Sequence, residues 1–114
     1  MPPDILEGID LLESNTKDNI GLILEICVDY GGRDEIARAV EAGARTFEEI
    51  SAALGPEPDC IIRTGGNSRL SDFLLWQGAY SEFIVIDTYF PAITFEDLDS
   101  CLAQYNSVDR TFGR

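Results

Sequence analysis

Hydrophobic positions along this chain change their period several times, and each change marks a predicted element. From Asp4 to about Ser14, Ile5, Leu6, Ile9, Leu11 and Leu12 recur near helical spacing, and Asn15-Thr16 with Asp18-Asn19 then interrupt them. An amphipathic helix is predicted there. The next run, Ile20 to Val28 (IGLILEICV), is nearly continuous, rich in branched residues, and stops at Tyr30-Gly31-Gly32. That pattern predicts a buried central strand of a parallel sheet. Arg33 to Gly43 places Ile36, Ala37 and Val40 on one helical face, and Thr46-x-x-Glu49 opens a further short helix with a capping box.

The second half repeats the alternation. Gly55-Pro56-Glu57-Pro58 is a stiff connection, and Asp59 to Thr64 (DCIIRT) predicts a second buried strand that runs into Gly65-Gly66. Ser71-Asp72 reads as the start of a helix through FLLWQGAYSE, and Phe83 to Asp87 (FIVID) as a third strand. Thr94-x-x-Asp97 then caps a last helix reaching about Tyr105. Strands alternating with helices predict an α/β fold, a parallel-sheet layer with flanking helices. With 114 residues the chain has room for a single domain, spanning 1–114.

Charge narrows the function. Eight Lys and Arg stand against 21 Asp and Glu, a net charge of −13 that repels nucleic acid and anionic membrane surfaces. Nucleic-acid binding is therefore not expected. Cys27, Cys60 and Cys101 are far apart and lie in apolar runs, which argues for reduced thiols rather than a disulfide framework or a CxxC metal site. The absence of His excludes Ser-His-Asp triads, Cys-His dyads and histidine metal sites from this chain. MPPDILEGIDLLE lacks the cationic flank and apolar core of a signal peptide, and no apolar run approaches the roughly 20 residues of a membrane span. A soluble, cytoplasmic protein is the expectation.

One segment concentrates chemistry. Arg63 to Ser71 (RTGGNSRLS) sets two arginines, two glycines and a hydroxyl between the C-terminal end of a strand and the expected start of a helix. Such a loop suits phosphate: orphan N–H groups and the helix dipole favour an anion, and Gly65 and Gly66 let the backbone approach it. Ser71 can cap or donate, and Arg63 and Arg69 can each hold phosphate oxygens bidentately. An ordinary strand–turn–helix with Ser71 as N-cap and two surface arginines is compatible with the same letters. Glu82, thirteen residues beyond Arg69, is expected to re-enter the same crevice. A carboxylate beside a diphosphate points to Mg²⁺, a hard cation that prefers oxygen ligands, although a solvated surface acid is the plainer reading of Glu82 alone.

The run DCIIRTGGNSRLSDFLLWQGAYSEF, followed by DTYFP and a closing RTFG, resembles the C-terminal part of the cis-prenyltransferase family, the undecaprenyl diphosphate synthases and their relatives. NTKDNIGLILEICVDYGGRDEIARAV resembles the family's preceding strand and YGGR turn, so the likeness covers nearly all of the chain. The resemblance implies transfer of an allylic prenyl group onto isopentenyl diphosphate, making polyprenyl diphosphate one cis double bond at a time. Arg63, Arg69 and Ser71 match the positions that hold the diphosphate of isopentenyl diphosphate, with Gly65 and Gly66 between them, and Glu82 matches a Mg²⁺-associated acid. Mg²⁺ is the implied cofactor, and isopentenyl and allylic diphosphates are the implied substrates.

The sequence also departs from the family. Family members begin with Asp-Gly-Asn-x-Arg-Trp, the segment of the key aspartate, whereas Met1-Pro2-Pro3 matches the middle of the family domain. The stretch between YGGR and DCIIRTGG is shorter than usual, and Asn67-Ser68 replaces a Glu-containing pair. At the other end Thr111 stands where the family's Arg-x-Gly has its arginine, with Arg110 and Arg114 nearby. The expectation is a chain that supplies the isopentenyl diphosphate site as a homodimer, or as a heteromer with another prenyltransferase chain. The alternative is a noncatalytic interaction subunit, or a fragment, that pairs with a full prenyltransferase. Contact with a membrane is expected only through the lipid product.

Overall fold

The computed structural model describes residues 1–109 and Thr111. Its elements run α1 (Pro3–Thr16), α2 (Gly32–Glu41), α3 (Phe47–Leu54), β1 (Cys60–Arg63), β2 (Glu82–Val85) and α4 (Phe95–Asn106), with a single 3₁₀ turn at Phe90–Ala92. Both sequence-predicted capping boxes form. The Thr46 hydroxyl accepts from the Glu49 N–H at 3.1 Å and the Glu49 carboxylate accepts from the Thr46 N–H. Thr94 and Asp97 exchange the same pair of bonds at the head of α4. Each pair satisfies two donors that a helix start would otherwise leave open.

β1 and β2 form a parallel pair in which Cys60 lies opposite Glu82, Ile61 opposite Phe83, Ile62 opposite Ile84 and Arg63 opposite Val85. Ile61 and Ile84 are buried, and Leu74, Ala39 and Cys101 join them in the small core. α4 packs on β2, and α2 packs on α3. Among the described residues no helix is long and apolar enough to cross a membrane.

Two sequence-predicted elements do not form. Ile20–Val28 was expected as a central strand, yet it pairs with neither strand of the sheet. Its side chains lie open to solvent, Ile20, Leu22, Ile23 and Leu24 each at 75% exposure or more. The pattern encodes burial between two neighbours, and among the described residues β1 and β2 pair only with each other; in α1, Ile5, Leu6, Leu11 and Leu12 likewise stay exposed. The radius of gyration, 15.8 Å, exceeds the about 13 Å of a compact 100-residue domain, as an apolar segment held away from the core requires.

The helix expected from Ser71 is replaced by a series of turns. Ser71, Asp72 and Leu74 have φ of 48°, 64° and 46°, a left-handed region that costs a non-glycine residue roughly 1–3 kcal/mol and is incompatible with an α-helix. The helical period nonetheless names the right buried residues. Leu74 and Gln77 face inward, and Gly78 closes a turn by donating to the Leu74 carbonyl at 2.7 Å. Trp76 donates from Nε1 to the Ser51 hydroxyl at 2.9 Å and lies against Phe47 with ring centroids 5.5 Å apart. Phe73 meets Tyr30 edge to face, also at 5.5 Å.

A polar network ties these turns to the helices. Gln77 Nε2 donates to Glu35 at 2.7 Å and to the Leu54 carbonyl at 3.0 Å, and the Tyr30 hydroxyl donates to the same Glu35 oxygen. Burial, then the hydrogen bond to Glu35 and the charge behind it, hold the Tyr30 phenol above its ordinary range. Because the folded chain keeps this proton after the unfolded chain has released it, the contribution is intact below about pH 10 and falls above it. Chemical denaturation of Tyr30→Phe should show a loss of about 0.5–1.5 kcal/mol at neutral pH, with a flatter decline at alkaline pH than the parent chain. At Gly78 an added methyl carbon meets the Leu74 carbonyl oxygen at 2.6 Å and Ile61 Cδ1 at 2.9 Å. Gly78→Ala should therefore cost about 1–3 kcal/mol in urea denaturation, as overpacking does.

Candidate functional site

The ladder does not stop at the last strand residue. The Ile86 N–H donates to the Arg63 carbonyl at 2.9 Å, Gly66 to Ile86 at 2.9 Å and Gly65 to Thr88 at 3.0 Å. The loop after β1 is thus sewn to the chain after β2 as far as Gly66. This changes the role of the glycines, which were expected to offer open N–H groups to an anion. Their N–H groups are engaged by β2's continuation, and their φ of 86° and 79° suits the turn that follows. An added Cβ at Gly66 would lie 3.1 Å from Asp87 Oδ1, so glycine also gives that carboxylate room beside the loop.

Beyond Gly66 the Arg63 side chain meets the main chain of Arg69. Arg63 donates from Nη1 to the Arg69 carbonyl at 2.6 Å, and Arg69 donates from Nη2 to Asn67 Oδ1 at 3.2 Å. Arg63 is half-buried at the end of its strand, while Arg69 and Ser71 are exposed. The loop carries Arg63 and Arg69, in contact, with Ser71 two residues on, beyond the C-terminal edge of the parallel pair, the edge at which open α/β sheets bind their ligands. The helix dipole expected to assist them is absent, since no helix starts at Ser71. The loop offers two guanidiniums and a hydroxyl with no helix N-terminus behind them.

Glu82 is not brought to this loop. It opens β2 opposite Cys60, at the other end of the strand pair from Arg63, and a strand rises about 3.3 Å per residue, so about 10 Å separates the two ends. The carboxylate that the loop does meet is Asp87, which sequence reasoning passed over as the last residue of a strand. A signal was present, since Asp87 follows an apolar run and precedes a turn, as a residue at the C-terminal end of a parallel strand does. Among the described residues no group of three or more Cys, Asp or Glu side chains could hold a metal ion unaided. The network missed at the same stage, Tyr30–Glu35–Gln77, borders a cavity of about 370 Å³ lined also by Leu24, Ile26 and Cys27. Gln77 Oε1 is buried there without a hydrogen-bond partner. Arg110 and Arg114 lie outside the described residues, and Thr111 is exposed.

Comparison with known proteins assigns the chain. The prenyltransferase family model, that of undecaprenyl diphosphate synthase, matches residues 1–113. An isoprenyl transferase of Neisseria meningitidis serogroup B is 42% identical over 96% of this chain and 48% of its own length. A tritrans,polycis-undecaprenyl-diphosphate synthase (geranylgeranyl-diphosphate specific) of Pyrobaculum aerophilum is 41% identical over the whole chain and 54% of its own length. In three dimensions the chain superposes on a Campylobacter jejuni protein described as a probable undecaprenyl diphosphate synthase, with a TM-score of 0.73 and 31% identity, covering 100% of this chain and 58% of that one. Lavandulyl diphosphate synthase from Lavandula x intermedia, in complex with dimethylallyl diphosphate, gives 0.70 and 32% over 100% of this chain and 56% of that one. The chain spans about half the length of the curated relatives it matches. By sequence and by fold, it belongs to the undecaprenyl diphosphate synthase family of cis-prenyltransferases.

Proposed function

We propose that this chain supplies the isopentenyl diphosphate site for cis-prenyl chain elongation. The observation that carries the reading is the convergence of Arg63 and Arg69 on one loop, in a chain of net charge −13. Concentrating two of eight cationic groups at a sheet's C-terminal edge makes a local anion site in a protein that otherwise repels anions. Arg63 and Arg69 hold diphosphate oxygens, Ser71 donates its hydroxyl, and Gly65 and Gly66 fix the loop that aims them. Arg63 engages the Arg69 carbonyl through one N–H and retains others for an anion.

With the diphosphate held, the homoallylic double bond of isopentenyl diphosphate is positioned to attack the allylic carbon. The allylic carbon–oxygen bond breaks and its electron pair leaves with diphosphate, a carbon–carbon bond forms from the double bond, and the proton lost from the new chain passes to the released diphosphate. Charge-assisted contacts on the diphosphates supply most of what the protein contributes, so the absence of His removes nothing that this step needs. Mg²⁺, which takes one or two carboxylates together with substrate phosphates, would neutralise diphosphate charge. Asp87, beside Gly66, is a carboxylate that would share the ion, while Glu82, at the other end of the strand pair, is the acid that the family resemblance assigns to Mg²⁺. The reaction belongs in the cytoplasm, with membrane contact made by the lipid product.

The exposed run Ile20–Val28 supports an assembly in which another chain, carrying the Asp-Gly-Asn-x-Arg-Trp segment, covers it as a neighbouring strand. The same exposure favours the second reading, a noncatalytic subunit that pairs with a full prenyltransferase. Dependence on the arginines separates the two. Calorimetric titration with isopentenyl diphosphate and Mg²⁺ should show Arg69→Ala weakening binding by roughly 1.5–3 kcal/mol, the size of a lost charge-assisted bond. Equal binding by both proteins would leave the noncatalytic reading. Ile23→Asp should abolish association with the complementary chain in analytical ultracentrifugation while leaving isopentenyl diphosphate binding intact.

A further inference from the structure

Ser71 and Asp72 both adopt left-handed backbone, as does Leu74 two residues on. Such conformations persist where their surroundings over-determine them, and here the surroundings are the N-terminus of α2. The Asp72 carbonyl accepts from the Gly32 N–H at 2.7 Å, and Asp72 Oδ1 accepts from the Arg33 N–H at 2.9 Å. α2 has no cap of its own, because its N-cap residue is Gly31. Asp72 takes that place from 39 residues away and brings a negative charge to the positive end of the helix.

The two glycines of the YGGR turn make the approach possible. A Cβ at Gly31 would lie 3.1 Å from Asp72 Oδ2, and one at Gly32 would lie 2.9 Å from the Asp72 carbonyl oxygen and 3.0 Å from Leu75 Cγ. The loop is consequently fixed at both ends. Its start is sewn to β2's continuation through Gly65 and Gly66, and its end is fastened to α2 through Asp72. Arg69 and Ser71 lie on the stretch between, with Arg63 bracing the Arg69 carbonyl.

We propose that Asp72 is a positioning residue: its carbonyl and carboxylate clasp the N-terminus of α2 and hold Arg69 and Ser71 in the arrangement that receives a diphosphate. As a carboxylate it repels the anion and does not touch it, so its effect passes entirely through the loop. The inference rests on the reading of this loop as the isopentenyl diphosphate site.

The test is calorimetric titration of the full chain with isopentenyl diphosphate and Mg²⁺, with a thermal melt of each protein. Asp72→Ala should bind about tenfold more weakly, the consequence of a lost charge-assisted contact at the loop's anchor. Asp72→Asn keeps an oxygen acceptor for the Arg33 N–H and should recover most of that loss. Gly31→Ala leaves Asp72 in place and crowds its carboxylate, so it should weaken binding in the same direction and serves if Asp72→Ala does not fold. A lowered melting temperature with unchanged affinity in both Asp72→Ala and Gly31→Ala would overturn the proposal, reducing Asp72 to a helix cap, while a loss of binding in Arg69→Ala left the site itself standing. If the parent chain does not bind isopentenyl diphosphate, the reading of the loop fails and the clasp falls with it.

Discussion

The parallel pairing of β1 with β2 is the constraint on which the rest depends. Four residue pairs, from Cys60–Glu82 to Arg63–Val85, set the direction in which the chain leaves the sheet, and the ladder's continuation to Gly66 decides where it turns. Arg63 stands at the last pair, so its guanidinium emerges at the sheet's C-terminal edge. Ile61 and Ile84, on opposite faces of the pair, are both buried and anchor it on either side. A one-residue slip of β1 would move both Ile61 and Arg63 to the opposite face of the sheet. The placement of the Arg63–Ser71 loop is therefore a product of register as much as of its own letters.

A pair of strands does not make a complete layer. Parallel sheets are ordinarily buried on both faces, and a two-stranded sheet leaves both outer edges unpaired. Ile20–Val28 has the composition of a further strand and remains in solvent, with α1 uncovered beside it. These features are what half of a larger α/β domain presents, in agreement with relatives of about twice the matched length.

Local signals were legible wherever local physics decides the outcome. Thr46 with Glu49 and Thr94 with Asp97 announce their helices because a capping box is satisfied within four residues. Cys60–Arg63 and Glu82–Val85 were found, a residue or two from their expected limits, because short apolar runs bounded by turns fit a buried strand. Ile20–Val28 misled because its pattern describes an environment that the rest of this chain does not build. The segment from Ser71 misled for the opposite reason. A contact from Asp72 to α2, remote in sequence, overrides a sound helical period while keeping its buried face. Arg63, Arg69 and Ser71 were legible as neighbours on one loop, whereas the approach of Asp87 to Gly66 was not, because it depends on strand register.

The central proposal is that this chain supplies the isopentenyl diphosphate site of cis-prenyl chain elongation, acting with the family's Asp-Gly-Asn-x-Arg-Trp segment. The most direct measurement is incorporation of radiolabelled isopentenyl diphosphate with farnesyl diphosphate and Mg²⁺, by the chain alone and mixed with a chain carrying Asp-Gly-Asn-x-Arg-Trp. The account predicts label in polyprenyl product only from the mixture, and only while Arg69 is intact. Robust elongation by the chain alone would contradict the need for a complement, and no incorporation beyond that of the added chain would contradict the assignment of an enzymatic role.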